Sequence, residues 1–154
     1  MKLALLAGRT ILMAFACTAS VSASSTDGIL VGKWNHVRMV QTADGRVVRV
    51  QESHGESSLE FKKDGTWVLR SPRNNNSGTY RLMNGNLLES TTLQSDIPAQ
   101  IGWHSVKQVK IDGTTLQTLT KYDDKAMEAF APRSDGTRPK EMTVTSTFER
   151  VVDR

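Results

Sequence analysis

The residues that could carry out chemistry are few, and they lie far apart in the sequence. His36, His54 and His104 are the only imidazoles among the 154 residues, and the single cysteine is Cys17. Metal sites need several such ligands at short spacing, and no His-x-His or His/Cys cluster is present. The adjacent pair Asp123-Asp124 lies at the end of a predicted strand, where acidic residues commonly form turns. We therefore predict no metal site, no cofactor and no catalytic residues, and we favour a non-catalytic protein.

The aromatic residues suit a binding site better than a catalytic one. Ligand cavities are mostly apolar and carry a few polar groups that orient the ligand. His104 directly follows Trp103 in a predicted strand, which makes it the best candidate for a polar group inside such a cavity. The alternative is that the aromatic side chains simply fill a small barrel. The predicted ligand-binding residues are Trp67, Tyr80, Trp103, His104, Tyr122 and Phe148.

The N-terminal residues have the pattern of a secretory signal peptide. Lys2 and Arg9 supply positive charge, an apolar run from Ile11 to Cys17 follows, and Val21-Ser22-Ala23 fits a small-x-small cleavage site. We predict a signal peptide over residues 1–23, one domain over residues 24–154, and a periplasmic or secreted protein. The alternative is lipoprotein processing at Cys17, which would attach the chain to a membrane.

The charge of the chain is modest once this segment is removed. Its formal net charge falls from +4 to +2, because Lys2 and Arg9 are lost. Many nucleic-acid-binding surfaces carry a cluster or stripe of Lys and Arg. No such stripe interleaved with aromatic residues is present in this sequence. We predict no nucleic-acid partner.

Regularly spaced turns define the scaffold. Asp-Gly and Asn-Gly pairs between alternating apolar residues predict β-hairpins, because a type I′ turn needs positive φ at both central residues. The pairs are Asp44-Gly45, Asp64-Gly65, Asn84-Gly85, Asp112-Gly113 and Asp135-Gly136.

The segments between these turns predict antiparallel strands. They are Ile29–Gln41, Arg46–Gln51, Ser57–Lys62, Thr66–Arg70, Ser77–Met83, Asn86–Thr92, Gly102–Ile111, Thr114–Tyr122 and Glu141–Val152. The predicted fold is all-β, an antiparallel up-and-down barrel of about eight to ten strands. A barrel is favoured over an open sheet because it leaves no unpaired edge.

The order of several motifs resembles that of the small bacterial lipocalin-like domains. These motifs are Gly32-x-Trp34, the hairpin Phe61–Thr66, Ser77-Gly78-Thr79-Tyr80, Gly85-Asn86-x-Leu88 and Asp112–Leu116. The resemblance covers most of residues 29–152. It implies a calycin-type barrel that can hold a small apolar molecule. It also implies structural roles for Gly32, for Trp34 at the closed end and for Arg150 stacked on that indole.

Together these features predict an exported lipocalin-like protein that binds a small hydrophobic or amphipathic molecule without converting it. Two alternatives stay open. One is a protein-interaction module, such as an inhibitor of a cell-wall or secreted enzyme, that uses the loops at 71–76 and 123–140. The other is a cyclase or isomerase, since a barrel interior can hold a buried acid or base beside its substrate.

Overall fold

The computed structural model describes residues 25–122 and 138–152 of the chain. Helix α1 (Ser25–Leu30) precedes the sheet, and a 3₁₀ turn occupies Pro98–Gln100. The strands are β1 (Gly32–Ala43), β2 (Arg46–Glu52), β3 (Ser58–Phe61), β4 (Thr66–Arg70), β5 (Asn76–Met83), β6 (Leu87–Ser95), β7 (His104–Asp112), β8 (Thr115–Tyr122) and β9 (Met142–Arg150). No helix in the described part of the chain is long and apolar enough to cross a membrane.

The predicted all-β, antiparallel up-and-down barrel is confirmed. Strands β3 to β9 follow one another around the sheet in chain order, and β1 joins its two ends by pairing with both β3 and β9. Eight strands therefore form the closed barrel, and every described pairing is antiparallel. We call the end that contains Gly32 and Arg150 the closed end, and the opposite end, with the β1–β2 hairpin, the open end.

Strand β2 is an addition to this barrel. It pairs with residues 38–43 of β1, whereas β3 pairs with residues 32–35. Within the described ranges no ladder forms on the other side of β2. The hydrogen-bonded wall is therefore complete at the closed end and interrupted at the open end. Along this edge strand Val47, Val48 and Val50 are 61%, 56% and 48% exposed.

Two of the predicted hairpin turns have the predicted backbone, whereas at Asp112-Gly113 the aspartate ends β7 and only the glycine, with φ of 57°, has positive φ. Asp44 and Gly45 both have positive φ, 48° and 75°, as do Asn84 and Gly85, 50° and 75°. These values suit type I′ turns, whose twist matches that of the flanking strands. Asp135-Gly136 lies outside the described residues.

The turn at Asp64-Gly65 differs from the predicted type I′. Only Gly65 has positive φ, and its N–H donates to the Lys62 carbonyl at 3.2 Å. Asp64 instead accepts hydrogen bonds from the backbone N–H of Thr66 at 2.9 Å and from its hydroxyl at 2.6 Å. A carboxylate that bonds two residues onward holds the aspartate in an ordinary turn conformation and leaves the positive φ to the glycine alone.

The first strand begins later than predicted, at Gly32 rather than Ile29. Ile29 and Leu30 belong to α1, and β1 begins at Gly32, whose φ is 134°. A Cβ at position 32 would lie 2.8 Å from the Nη1 atom of Arg150. The chain therefore changes direction at a glycine that also makes room for this arginine. Strand β9 likewise ends at Arg150 rather than Val152.

The hydrophobic core fills the closed end. Its members come from α1 and from most strands of the barrel: Leu30, Trp34, Phe61, Trp67, Leu88, Val109, Leu116 and Phe148. Trp34 and Leu30 are fully buried, and the indole N–H of Trp34 donates to the Leu30 carbonyl at 2.9 Å. The helix thus lies over the closed end and seals it.

Arg150 links this seal to the β1–β9 seam. Its guanidinium carbon lies 4.1 Å from the centre of the Trp34 ring, as the resemblance implied. The same guanidinium donates to the carbonyls of Val31, at 3.0 Å, and Ile29. Trp34 and Arg150 are also register partners in the ladder. One side chain therefore joins the first strand, the last strand and the segment after α1.

Replacing Arg150 with lysine should destabilise the barrel. Lysine keeps the charge but loses the planar stacking and the forked hydrogen bonds, which together contribute about 1–3 kcal/mol. Urea unfolding should show this loss for Arg150→Lys and almost none for Arg70→Lys, an exposed arginine at the end of β4. Equal stabilities for the two variants would contradict the role given to Arg150.

Replacing Gly78 with alanine should also destabilise the fold. The added Cβ would overlap the carbonyl oxygen of Thr91 and lie 3.0 Å from the indole nitrogen of Trp67. Overpacking of this kind costs about 1–3 kcal/mol. Gly28→Ala in α1 is the control, because nothing lies within 4 Å of the added atom. Thermal unfolding of the two variants tests the difference, and an unchanged melting point for Gly78→Ala would contradict it.

Candidate functional site: the barrel interior

The inner face of the barrel changes from apolar to mixed between its two ends. Side chains alternate across each strand, so register partners on one face form rows around the wall. The Trp34–Arg150 pair lies at the closed end, and the next row along the wall is Ile111, Leu116, Phe148 and His36. The next is Val109, Thr118, Ser146, Met39 and Gln51. Toward the open end follow Thr120, Val144, Gln41 and Arg49, and then Tyr122, Met142, Ala43 and Arg46.

Packing is not uniform along the inner face, and the row nearest the open end contains two buried residues, Ala43 (5% exposed) and Met142 (3% exposed). Leu116 is fully buried and Phe148 is 7% exposed, as expected for a filled core. Met39, Gln41, Thr120 and Val144 also lie on the inner face but are only partly buried. Side chains of this kind are packed less completely than those of the core. The inner face around these four residues, in the half of the barrel nearer the open end, is the candidate site.

Lys107 lies on the inner face of β7, between Ser105 and Val109. It is the register partner of Leu88, which is 3% exposed and belongs to the core. Lys107 is partly buried on this inner face, and desolvation by burial lowers its pKa from the ordinary 10.5.

His104 and Trp103 are not inside the barrel, which corrects the predicted inward position of His104. Thr91 and His104 are register partners on the outer face. The Nε2 atom of His104 lies 2.8 Å from Glu89, and its side chain is 54% exposed. Trp103, 60% exposed, precedes the strand. The alternation of β7 is the physical reason, because Val109 and Ile111 must face the core and His104 has the opposite parity.

Four of the six predicted ligand-binding residues do share the inner face. Phe148 and Trp67 are core residues, and the Trp67 indole donates to the Thr79 carbonyl at 3.1 Å. Tyr80 packs edge-on against Phe61, with ring centroids 4.9 Å apart, and its hydroxyl donates to the Lys62 carbonyl at 2.8 Å. These three therefore belong to the closed end. Only Tyr122, partly buried and with a pKa raised by desolvation, lies on the row nearest the open end.

His36 marks the boundary between the filled and the looser part. Its ring meets Phe148 edge-on, with centroids 5.2 Å apart. Desolvation lowers the pKa of this imidazole from the ordinary 6.5, and a backbone hydrogen bond at Arg38 acts weakly in the other direction. The histidine is therefore held mainly in its neutral form.

Polar side chains tie together two connections at the open end. Asn74 and Asn76 both donate to the side-chain carbonyl of Gln100, at 2.8 and 3.0 Å. Asp96 accepts from the backbone and the side chain of Asn75, at 2.9 and 2.8 Å. The predicted partner loop at 71–76 is thus fastened to residues 96–100. Most of the second predicted partner loop, 123–140, lies outside the described residues.

Charge is distributed unequally between the two faces. The carboxylates on the described strands have outward parity: Glu52, Glu60, Glu89, Asp112 and Glu149. The inner face carries Lys107 and Arg150, and Arg46 and Arg49 continue it on β2. Among the described residues no group of three or more His, Cys, Asp or Glu side chains could hold a metal ion.

Lys107 is the inward-facing polar residue that the sequence analysis did not single out. The signal was present in the parity of β7, since Ser105, Lys107, Val109 and Ile111 alternate with His104, Val106, Gln108 and Lys110. The first set ends in two apolar residues and should face the core. The predicted inward residue, His104, belongs to the second set, which faces outward.

Two solved structures are similar to this chain at the level of the fold. The chain is similar to an uncharacterized protein from Bacteroides eggerthii, at 14% identity over 79% of this chain and 99% of that one, with a TM-score of 0.45. It is also similar to a redesigned β-barrel, at 14% identity over 82% and 96% of the two chains, with a TM-score of 0.42. No protein-family model and no curated protein matches the sequence.

The half-buried imidazole of His36 predicts an acid-sensitive fold. Because the folded pKa of His36 lies below 6.5, the unfolded chain binds a proton at this position more readily, and the free energy of unfolding should decrease as the pH falls through 6.5. Urea unfolding at about pH 8 and about pH 5 should show a smaller decrease in His36→Gln than in the unsubstituted protein. His54→Gln, at an exposed loop position, is the control and should keep the full decrease. The same pH dependence in both variants would contradict the assignment to His36.

Proposed function

We propose that this protein binds a small amphipathic molecule in the part of the barrel interior nearer the open end, without converting it. The observation that carries the proposal is the contrast in packing on one continuous inner face. The core cluster at the closed end and the pair Ala43 and Met142 near the open end are buried, whereas Met39, Gln41, Thr120 and Val144 between them face inward and stay partly accessible. A sealed base and an accessible inner wall suit a ligand that enters from the open end.

The composition of this wall favours a ligand with apolar and polar parts. Met39, Val144 and the Tyr122 ring offer apolar surface, and Gln41 and Thr120 offer hydrogen-bonding groups. Burying apolar surface contributes about 25 cal/mol per Å², so about 300 Å² gives about 7 kcal/mol before the losses of association. Such a ligand would bind with a dissociation constant in roughly the micromolar range or weaker.

The lipocalin-like and exported character belongs to the same proposal. The motif order around Gly32-x-Trp34 resembles that of bacterial lipocalin-like domains. The signal-peptide pattern of residues 1–23 would deliver the barrel to the periplasm or the exterior. A carrier or sensor of a small exogenous or envelope-derived molecule agrees with both features.

A protein-interaction module is the second candidate, and one observation favours it. Strand β2 has no ladder partner on its outer side in the described chain, and its three valines are about half exposed or more. Such an edge can accept a strand from another protein by backbone hydrogen bonding. This candidate does not require an accessible interior, so the two functions are separable by experiment.

Filling the interior should abolish ligand binding. Val144 faces inward on β9 and Thr145 faces outward, so Val144→Phe adds bulk inside the barrel and Thr145→Phe adds it outside. A neutral apolar dye, N-phenylnaphthylamine, should bind to the unsubstituted protein and to Thr145→Phe. We expect its affinity for Val144→Phe to fall by about tenfold or more, which corresponds to about 1.4 kcal/mol.

Fluorescence titration measures these affinities, and circular dichroism confirms that each variant is folded. Equal affinity for the two variants would place the dye elsewhere and contradict the proposal. Absence of dye binding to the unsubstituted protein would contradict it as well. Native mass spectrometry of the purified protein, with solvent extraction, then identifies any natural ligand.

A further inference from the structure

Lys107 is a cation without a counter-charge. Its ammonium makes no ion pair or hydrogen bond with any described residue. Arg150, the other inner-face cation of the eight-stranded barrel, is engaged by Trp34 and by the carbonyls of Ile29 and Val31. Burial of an uncompensated charge is costly, and a titratable group held this way is a functional-site candidate.

The barrel wall offers this lysine no internal partner. The carboxylates on the described strands face outward, and the side chains closest to Lys107 on the inner face are neutral. Leu88 is opposite it on β6, and Ser105 and Val109 flank it on β7. On β8 the next inward residues beyond the Gln108–Leu119 pair are Thr120 and Tyr122. A ligand can therefore supply the missing negative charge.

Hydroxyl groups beside the lysine suit a carboxylate in particular. Ser90 and Ser105 are register partners, and their hydroxyl oxygens lie 2.9 Å apart. One hydroxyl proton serves the bond between them, and the other is left to donate. An ammonium and a neighbouring hydroxyl donor can together engage the two oxygens of one carboxylate.

We propose that Lys107 binds the carboxylate of an amphipathic organic acid, whose apolar part lies against Met39 and Val144. This inference rests on the proposed function and names its ligand class. A single ammonium balances a single negative charge, which favours a monoanion over a more highly charged phosphate. Arg46 and Arg49 continue the inner face at the open end, where their positive potential attracts anions toward the interior.

The pH dependence of binding follows from the same geometry. The ammonium is the form that binds a carboxylate, and desolvation lowers the pKa of Lys107 below 10.5 in the free protein. The other titratable side chains on this described inner face are Tyr80, Tyr122 and His36, and its other charged groups are Arg46, Arg49 and Arg150. The pKa of Tyr122 is raised and that of His36 is lowered, so the neutral forms of both are favoured as the pH rises. Carboxylate affinity should therefore decrease as the pH rises through the lowered pKa of Lys107.

The test compares two ligands of equal chain length, decanoic acid and decanol, by isothermal titration calorimetry. The unsubstituted protein should bind decanoate about tenfold or more tightly than decanol. Lys107→Met should lose this preference, with decanoate weakened and decanol unchanged. Lys110→Met, an exposed lysine of outward parity on the same strand, should behave like the unsubstituted protein. Lys107→Gln, which keeps polarity without charge, should lose the preference as well.

The outcomes separate this inference from the proposed function. Binding of decanol and the neutral dye without a preference for decanoate overturns the role of Lys107 and leaves the cavity in place. Equal weakening of both ligands by Lys107→Met indicates a merely structural role and also overturns the inference. No binding of either ligand or of the dye removes both proposals. Loss of decanoate affinity at alkaline pH in the unsubstituted protein, but not in Lys107→Met, supports the inference further.

Discussion

The stacking of Arg150 on Trp34 is the contact on which the rest of this barrel depends. Trp34 lies on β1 and Arg150 on β9, the two strands whose pairing closes the barrel, and the two residues are register partners in that ladder. The same arginine donates to the carbonyls of Ile29 and Val31, and the indole N–H of Trp34 donates to the carbonyl of Leu30. Gly32 is needed there because any side chain would meet the guanidinium. The same two residues thus help to close the sheet and to seal its base.

The two ends of the barrel differ in the composition of their inner face. The closed end holds the buried aromatic and aliphatic core, and the predicted ligand residues Trp67, Tyr80 and Phe148 belong to it. Toward the open end the same strands continue with mixed side chains, some partly buried and some, such as Ala43 and Met142, buried, and the β1–β2 ladder has no described partner on its far side. The hydrogen-bonded cylinder is thus complete at the closed end without any contribution from β2.

Two titratable side chains on the inner face, Lys107 and His36, are in surroundings that disfavour their charged forms. Desolvation lowers the pKa of both Lys107 and His36, which means that the fold disfavours their charged forms. A packed apolar residue would suit either position better for stability alone. The carboxylates on the described strands face outward, so none of them compensates the charge of Lys107 on the inner face.

The sequence by itself determined the hairpins, the strand alternation and the all-β class, because turn dihedrals and side-chain parity depend on neighbouring residues. Asp44-Gly45 and Asn84-Gly85 adopt the backbone that their residue types require, and the Trp34–Arg150 pair agrees with the motif resemblance. Only the tertiary structure decided that α1 caps the base, that β2 leaves the closed ladder, and that Lys107 rather than His104 faces inward. Each of these depends on contacts between distant segments, such as Arg150 with Val31 or Leu88 with Lys107. Local patterns fix the two faces of a strand, and packing against the rest of the barrel selects which face is buried.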